Sequence, residues 1–282
     1  GPTLEFIKYS RKIAIANKES IVCAWNIISK ELKKYKTEFV PVDSEHFSLW
    51  YGLENNIKKN IETIFLTASG GPFLKLPLNK FNKISVSNAI KHPNWKMGNK
   101  ISIDSATLMN KVFEVIEAKK IFKIPYKKIS ILIHSESYVH AIIKFQDGMS
   151  KIIAHDTSME IPIFNTLFAG KEEFTKSQKI NIKKLNNLNL KKVDLRKFPV
   201  IKILSNIPDE NTLFETIIVS ANDSLVELFL NKKIKFQEIS KRLLKIINLK
   251  EFKKYKKICP QNSAQIMNLH KYVSSKIKNL SI

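Results

Sequence analysis

The residues of this 282-residue chain best suited to chemistry are carboxylates at short spacings. Asp43 and Glu45 are two apart, and in an extended segment positions i and i+2 point to the same side, so both can address one ligand. Hard divalent cations take such oxygen donors, although Asp-Ser-Glu is also common on solvated loops. Between Asp104 and Glu114, Asn110 and Glu114 are i, i+4 with Lys111 adjoining, so an amide, a cation and a carboxylate can converge on one small ligand. Ser105, near the expected helix start, sets a hydroxyl beside unpaired backbone N–H groups, a natural place for a phosphate; the plain alternative is a capping serine. Nine residues at about 1.5 Å each put Glu114 roughly 13 Å from Ser105 if both are helical, so one ligand spans them only if Ser105 lies in a loop folded back over the site. Ser69-Gly70-Gly71 offers a hydroxyl and unencumbered amides suited to an anion. His92 and Trp95, in a loop-like stretch, suit closure over a ligand, imidazole on phosphate and indole against water, or plain packing.

These groups need elements to hold them. The pattern reads as a helix over 5–10, a strand over 12–16 and a helix over 18–36 with Ile21, Trp25, Ile28 and Leu32 on its apolar face. A strand over 39–42 delivers Asp43-Ser44-Glu45-His46 at its C-terminal end, the edge where α/β sheets place their sites. A strand over 63–67 runs into the Ser-Gly-Gly turn. Residues 75–100 read as a long polar connection in which Pro and Gly disfavour a helix. A helix is expected over 106–122, strands over 128–133 and 138–145, and a turn at Asp147-Gly148. Residues 175–205 are helix-poor, and from Asn211 the pattern is helical to the end with one interruption at Pro260. The expected fold class is therefore α/β, an α+β catalytic domain with a mixed sheet, followed by a small C-terminal helical bundle. The expected divisions are 1–42, 43–176 as the catalytic part, a linker over 177–208 and a helical domain over 209–282.

Composition excludes several classes. Hydrophobic residues at 44% supply a core and rule out disorder throughout. No apolar run approaches the roughly 18 residues of a membrane span. Two cysteines, Cys23 and Cys259, provide neither a disulfide framework nor a Cys-based zinc site, which fits a reducing compartment. Lys and Arg number 48 against 25 acids, a formal +23 that would ordinarily suggest a polyanion partner. Residues 231–282, however, carry 14 Lys or Arg against two acids, interleaved with Ile and Leu at helical spacing. Solvated helix faces under a Lys-rich bias explain that better than nucleic acid, which leaves polyanion binding and a non-catalytic scaffold as the rival classes.

Taken together, Ala16-Asn17-Lys18-Glu19-Ser20, Pro41 to His46, Ser69 to Phe73, His92-Pro93-Asn94-Trp95-Lys96-Met97-Gly98 and Ile103 to Glu114 resemble the 1-deoxy-D-xylulose 5-phosphate reductoisomerase family in order and spacing. Ala221-Asn222-Asp223 and Phe229 to Phe236 resemble its helical domain, so the likeness covers essentially the whole chain. The resemblance implies a divalent metal (Mg²⁺, Mn²⁺ or Co²⁺) on Asp43, Glu45 and Glu114. It implies substrate phosphate on Ser69, His92, Ser105, Asn110 and Lys111, with Lys18 and Ser44 near the substrate's other oxygens and a loop bearing Trp95 and Met97 closing over it. The implied reaction is a metal-assisted rearrangement of a sugar phosphate followed by hydride delivery from NADPH, in a cytoplasmic homodimer or its plastid-type counterpart. Three departures stand out. The seven glycines permit no G-x-G-x-x-G, so the chain resembles an enzyme truncated at its N-terminus and lacking most of the NADPH-binding domain, with reduction not expected of this segment alone. Val112 stands where the family usually has Gly, and His134-Ser135-Glu136-Ser137 where it often has His-Pro-Gln-Ser.

Overall fold

In the computed structural model the described residues are 1–53, 60–95, 97–168, 173–176 and 178–279. Lys96, Gly170 and the last three residues, all part of the sequence reading above, lie outside them. The chain opens with α1 (Pro2–Tyr9), β1 (Lys12–Ala14), α2 (Lys18–Tyr35) and β2 (Glu38–Val40), and β1 and β2 pair in parallel. Asn17 starts α2 by accepting the Ser20 N–H at 2.8 Å, an N-cap that puts Lys18 in the first turn. Next come α3 (Ser44–Gly52) and β3 (Ile61–Ala68), then a 3₁₀ turn (Leu78–Lys83), α4 (Val86–Ala89), α5 (Asn99–Thr107) and α6 (Met109–Phe122).

The sheet is completed by β4 (Ile129–His134), β5 (Val139–Phe145), β6 (Ser150–Ala154) and β7 (Leu190–Lys192), in the order β6-β5-β3-β4-β7. It is mixed: β3 runs parallel to β4 and antiparallel to β5. Around it lie α7 (Glu160–Leu167) and α8 (Ile182–Asn186), and α9 (Leu213–Leu230), α10 (Phe236–Ile247) and α11 (Ser263–Asn279) form the helical C-terminal part. None of the described helices is long and apolar enough to cross a membrane.

Several expectations change. Asp43 and Glu45 are not in an extended segment: Asp43 is the residue before α3, with extended backbone, and Glu45 lies in the first helical turn. Residues 75–100 are not all loop, because Ser85 and Asn88 form a reciprocal capping box that sustains the short α4 despite the flanking Pro and Gly. The expected helix over 106–122 is two helices, broken where Leu108 adopts φ +64°. The expected linker over 177–208 is packed: β7 pairs antiparallel with β4, while Phe198, Val200 and Ile203 are buried in the main core. That core runs from Val22 through Phe113 and Phe214 to Ile277, so α2, α6 and the C-terminal helices share one apolar interior.

Candidate metal and phosphate site

Between the C-terminal ends of β2 and β3, the start of α2 and the α5–α6 pair lies a cavity of about 270 Å³. Its lining includes every side chain given a site role from the sequence: Lys18 from α2; Asp43, Ser44 and Glu45 around the α3 start; Ser69 after β3; His92, Trp95 and Met97 from the connecting loop; Ser105 from α5; and Asn110, Lys111 and Glu114 from α6; Gly70 and Gly71 do not line it. The helix break explains how Ser105 and Glu114 meet without a folded-back loop. A single straight helix would separate them, whereas the break at Leu108 lets both α5 and α6 face one cavity. Ser105 sits in the last turn of α5 and not at a helix start, so the helix-start argument passes to Asn110 in the first turn of α6; the Lys111 backbone N–H is already donated to the Leu108 carbonyl at 3.1 Å. Gly71 is needed where it is: at φ +65° a Cβ would come 2.9 Å from the Ala106 Cα, so the turn after Ser69 packs directly on α5.

One carboxylate oxygen from each of Asp43, Glu45 and Glu114 lies within 4.8 Å of the other two. Two ammonium groups pack against this trio. Lys18 pairs with Asp43 and stands 3.4 Å from Glu114, while Lys111 pairs with Glu45 at 2.6 Å and also with Glu114. Burial would raise the Glu45 carboxyl, but the Lys111 charge, aided by His140 and Lys18, holds it well below the usual carboxylate range. Glu114, buried and beside the Glu45 charge, is raised, only partly offset by Lys111 and Lys18. A divalent cation suits this donor set of three hard oxygens on rigid elements. The Glu114 backbone carbonyl accepts from His46 Nε2 at 2.9 Å, which places the proton of that buried imidazole on Nε2.

His92 is likewise defined by its partners. Its Nδ1 accepts from the backbone N–H groups of Asn94 and Trp95 at 3.1 and 3.0 Å, so the ring proton is on Nε2, which lies 3.0 Å from Ser69 Oγ. Burial pushes the imidazole down to about 4, so at neutral pH it is an uncharged N–H donor beside a hydroxyl, a pair able to bind phosphate oxygens.

Profiles of the 1-deoxy-D-xylulose 5-phosphate reductoisomerase C-terminal domain match residues 39–122, and a second C-terminal profile matches residues 155–275. The protein of that name from Pelagibacter ubique is 62% identical over 281 residues, all of this chain and 72% of its own length. That agreement decides the family. The chain belongs to the 1-deoxy-D-xylulose 5-phosphate reductoisomerases. The reductoisomerase of Sulfurihydrogenibium sp. is 38% identical over 90% of this chain, and that of Clostridium tetani 41% over 85%; the chain spans 66% and 62% of their lengths. Among solved structures, the Zymomonas mobilis reductoisomerase in complex with NADPH superposes with a TM-score of 0.84 at 30% identity, covering 97% of this chain and 69% of that one. A reductoisomerase in complex with NADPH, fosmidomycin and magnesium superposes with a TM-score of 0.88 at 30% identity, covering 97% and 70%.

Both local departures from the family pattern have a structural account. Val112 is fully buried in the core and does not line the cavity. At 134–137, Asn94 Nδ2 donates to the Ser135 backbone oxygen at 2.7 Å and to Ser137 Oγ at 2.8 Å, tying the Trp95 loop to the sheet. The Ser135 contact uses main chain and is indifferent to that side chain. Sequence reasoning missed Ser137, His140 and Met159, which also line the cavity. It also missed Glu117, which with Asp43 and His46 forms a second group of closely spaced ligand atoms. The i+3 spacing of Glu117 from Glu114 was a usable signal, since it puts both on one helix face.

Proposed function

We propose that this chain provides the metal- and substrate-binding machinery for converting 1-deoxy-D-xylulose 5-phosphate to 2-C-methyl-D-erythritol 4-phosphate, in isoprenoid precursor biosynthesis by the non-mevalonate route. The observation that carries the reading is the convergence of the Asp43-Glu45-Glu114 trio with the Ser69–His92 pair in one cavity. Asp43, Glu45 and Glu114 would hold Mg²⁺, Mn²⁺ or Co²⁺, which when bound polarises a ketone and stabilises the enediolate-like charge of a carbon-skeleton shift. Ser69 Oγ, the His92 Nε2–H, Ser105, Asn110 and Lys111 bind the phosphate. Lys18, paired with Asp43, and Ser44, next to it in the chain, orient the remaining substrate oxygens, and Trp95 and Met97 exclude water.

The turn from β1 to α2 is Ile15-Ala16-Asn17, without a glycine, so this turn is not a glycine-rich pyrophosphate cradle, and no hydride step is assigned to the cavity residues. Family membership supports a homodimer in the cytoplasm or a plastid-type organelle. Calorimetry of the 282-residue chain with Mn²⁺ and fosmidomycin, a phosphonate hydroxamate, tests the reading. Fosmidomycin is expected to bind only with metal present, and Glu114→Gln to weaken Mn²⁺ by about tenfold or more. Unchanged Mn²⁺ affinity in Glu114→Gln would remove the trio from the mechanism.

A further inference from the structure

Between Glu62 and Asp104 the sequence contains no Asp or Glu and six lysines. This segment passes the cavity twice, contributing Ser69 on the way out and His92 and Trp95 on the way back. The stretch between the two passages, with the 3₁₀ turn and α4, walls a second cleft of about 590 Å³. Lys75, Lys80, Lys83 and Lys91 line it together with apolar groups including Phe73 and Ile84, and no acid does. All four lysines are exposed, and none has an ion-pair partner among the described residues. Lys18, Lys100, Lys111 and Lys120, by contrast, are each held by carboxylates. Lys197 adds a fifth cation nearby, donating to the Leu74 backbone oxygen at 2.7 Å and lying 5.9 Å from the Phe81 ring centre.

Asp43, Glu45 and Glu114, facing Lys18, Lys111 and the divalent cation they would hold, leave little net charge to draw a phosphate ester dianion toward the cavity. The unpaired lysines supply the opposite field beside the residues that receive phosphate: Pro72 follows the Ser69–Gly71 turn and Lys91 precedes His92. Such fields act over about 8–10 Å at ordinary ionic strength, the scale of a cleft. We propose that the lysine-walled cleft is an encounter site that captures the phosphate of the anionic substrate and delivers it, phosphate first, to Ser69 and His92. This rests on the function proposed above, because it takes the ligand to be a phosphate monoester. Its effect falls on association and not on the final complex, whose phosphate contacts are those of the cavity.

Stopped-flow tryptophan fluorescence with Mn²⁺ and fosmidomycin tests it on three forms of the 282-residue chain, matched beforehand for stability by urea unfolding. These are the unmodified chain, a cleft variant with Lys75→Gln, Lys80→Gln, Lys83→Gln and Lys91→Gln, and a charge-matched control with Lys250→Gln, Lys253→Gln, Lys257→Gln and Lys271→Gln in the exposed C-terminal region. At low salt the cleft variant is expected to associate about tenfold more slowly than the unmodified chain, with dissociation within about twofold, and high salt to erase the difference. The control should associate at the rate of the unmodified chain. Equal slowing in both variants, an unchanged rate in the cleft variant, or a change confined to dissociation would overturn the encounter site and leave the proposed function standing. No fosmidomycin binding by the unmodified chain would overturn both.

Discussion

Lys111 shows how one residue serves both charge balance and ligand binding. Its side chain is 4% exposed, and its ammonium lies against Glu45 and Glu114, which raise its pKa against the opposing effect of burial. Replacing it by alanine removes a full charge from the phosphate side and leaves two buried carboxylates facing each other. Lys111→Ala is expected to weaken phosphonate binding by about 1.5–3 kcal/mol in calorimetry. An equal loss for an uncharged analogue would show that the phosphate is held elsewhere.

At the scale of elements, the decisive joint is the α5 helix, which carries Ser105 and follows the loop bearing Trp95. Lys100 on its first turn binds Glu19 of α2 at 2.5 Å, Asp104 of α5 at 3.0 Å and Asp223 of α9 at 3.0 Å. Asp104, 2% exposed, is completed by Asn222 Nδ2 at 2.8 Å. One ammonium thus locks α5 to the element holding Lys18 and to the C-terminal helices. Removing Lys100, itself 35% exposed and partly screened, leaves the buried Asp104 without its cation, so Lys100→Met should cost about 1–2 kcal/mol in urea unfolding. Adding Asp104→Asn, which removes the stranded charge but keeps an acceptor for Asn222, should restore more than half of that loss. If the double variant is no more stable than the single one, the network does not hold α5.

For the whole molecule, the buried histidines set the acid limit. His140 and His155 stack with ring centres 3.7 Å apart beside the cavity. Burial, followed by its neighbour His155, pushes His140 from an ordinary 6.5 down to about 3. The unfolded chain therefore takes up a proton that the folded chain refuses. The contribution is complete above pH 6.5 and is lost as pH falls toward 3, at about 1.4 kcal/mol per pH unit. Glu117 acts in the opposite sense: burial raises it from 4.5 to about 8, so its contribution is complete below pH 4.5 and is lost as pH rises toward 8. His46, likewise pushed by burial to about 3, acts with His140, so the two histidines outweigh Glu117: urea unfolding of the chain should show stability falling with acid below pH 6.5, and His140→Gln should fall less steeply. Parallel slopes for the two proteins would mean that His140 titrates normally in the fold.

The chain's local chemistry was legible from residue types and spacing alone. The helix start at Lys18, the i, i+4 pairing of Asn110 with Glu114 and the small-residue turn after Ser69 all depend on neighbours within a few positions. The apolar periodicity of α2, α9 and α10 is equally local, because one turn of helix suffices to define a buried face. What only tertiary structure decided was convergence. Leu108 is not a residue that favours a left-handed backbone, so nothing local announces the break that turns α5 and α6 onto one cavity; the packing of Leu108, 2% exposed, against the core holds it. Likewise β7 lies in a stretch too short and polar to read as a strand, and it pairs because β4 presents an open edge to it. Asn94 gains meaning only where Ser135 and Ser137, some forty residues on, arrive within hydrogen-bond distance. Sequence spacing encodes what one element can present. Which elements face one another depends on burying a shared core, a property of the whole chain that no short window contains.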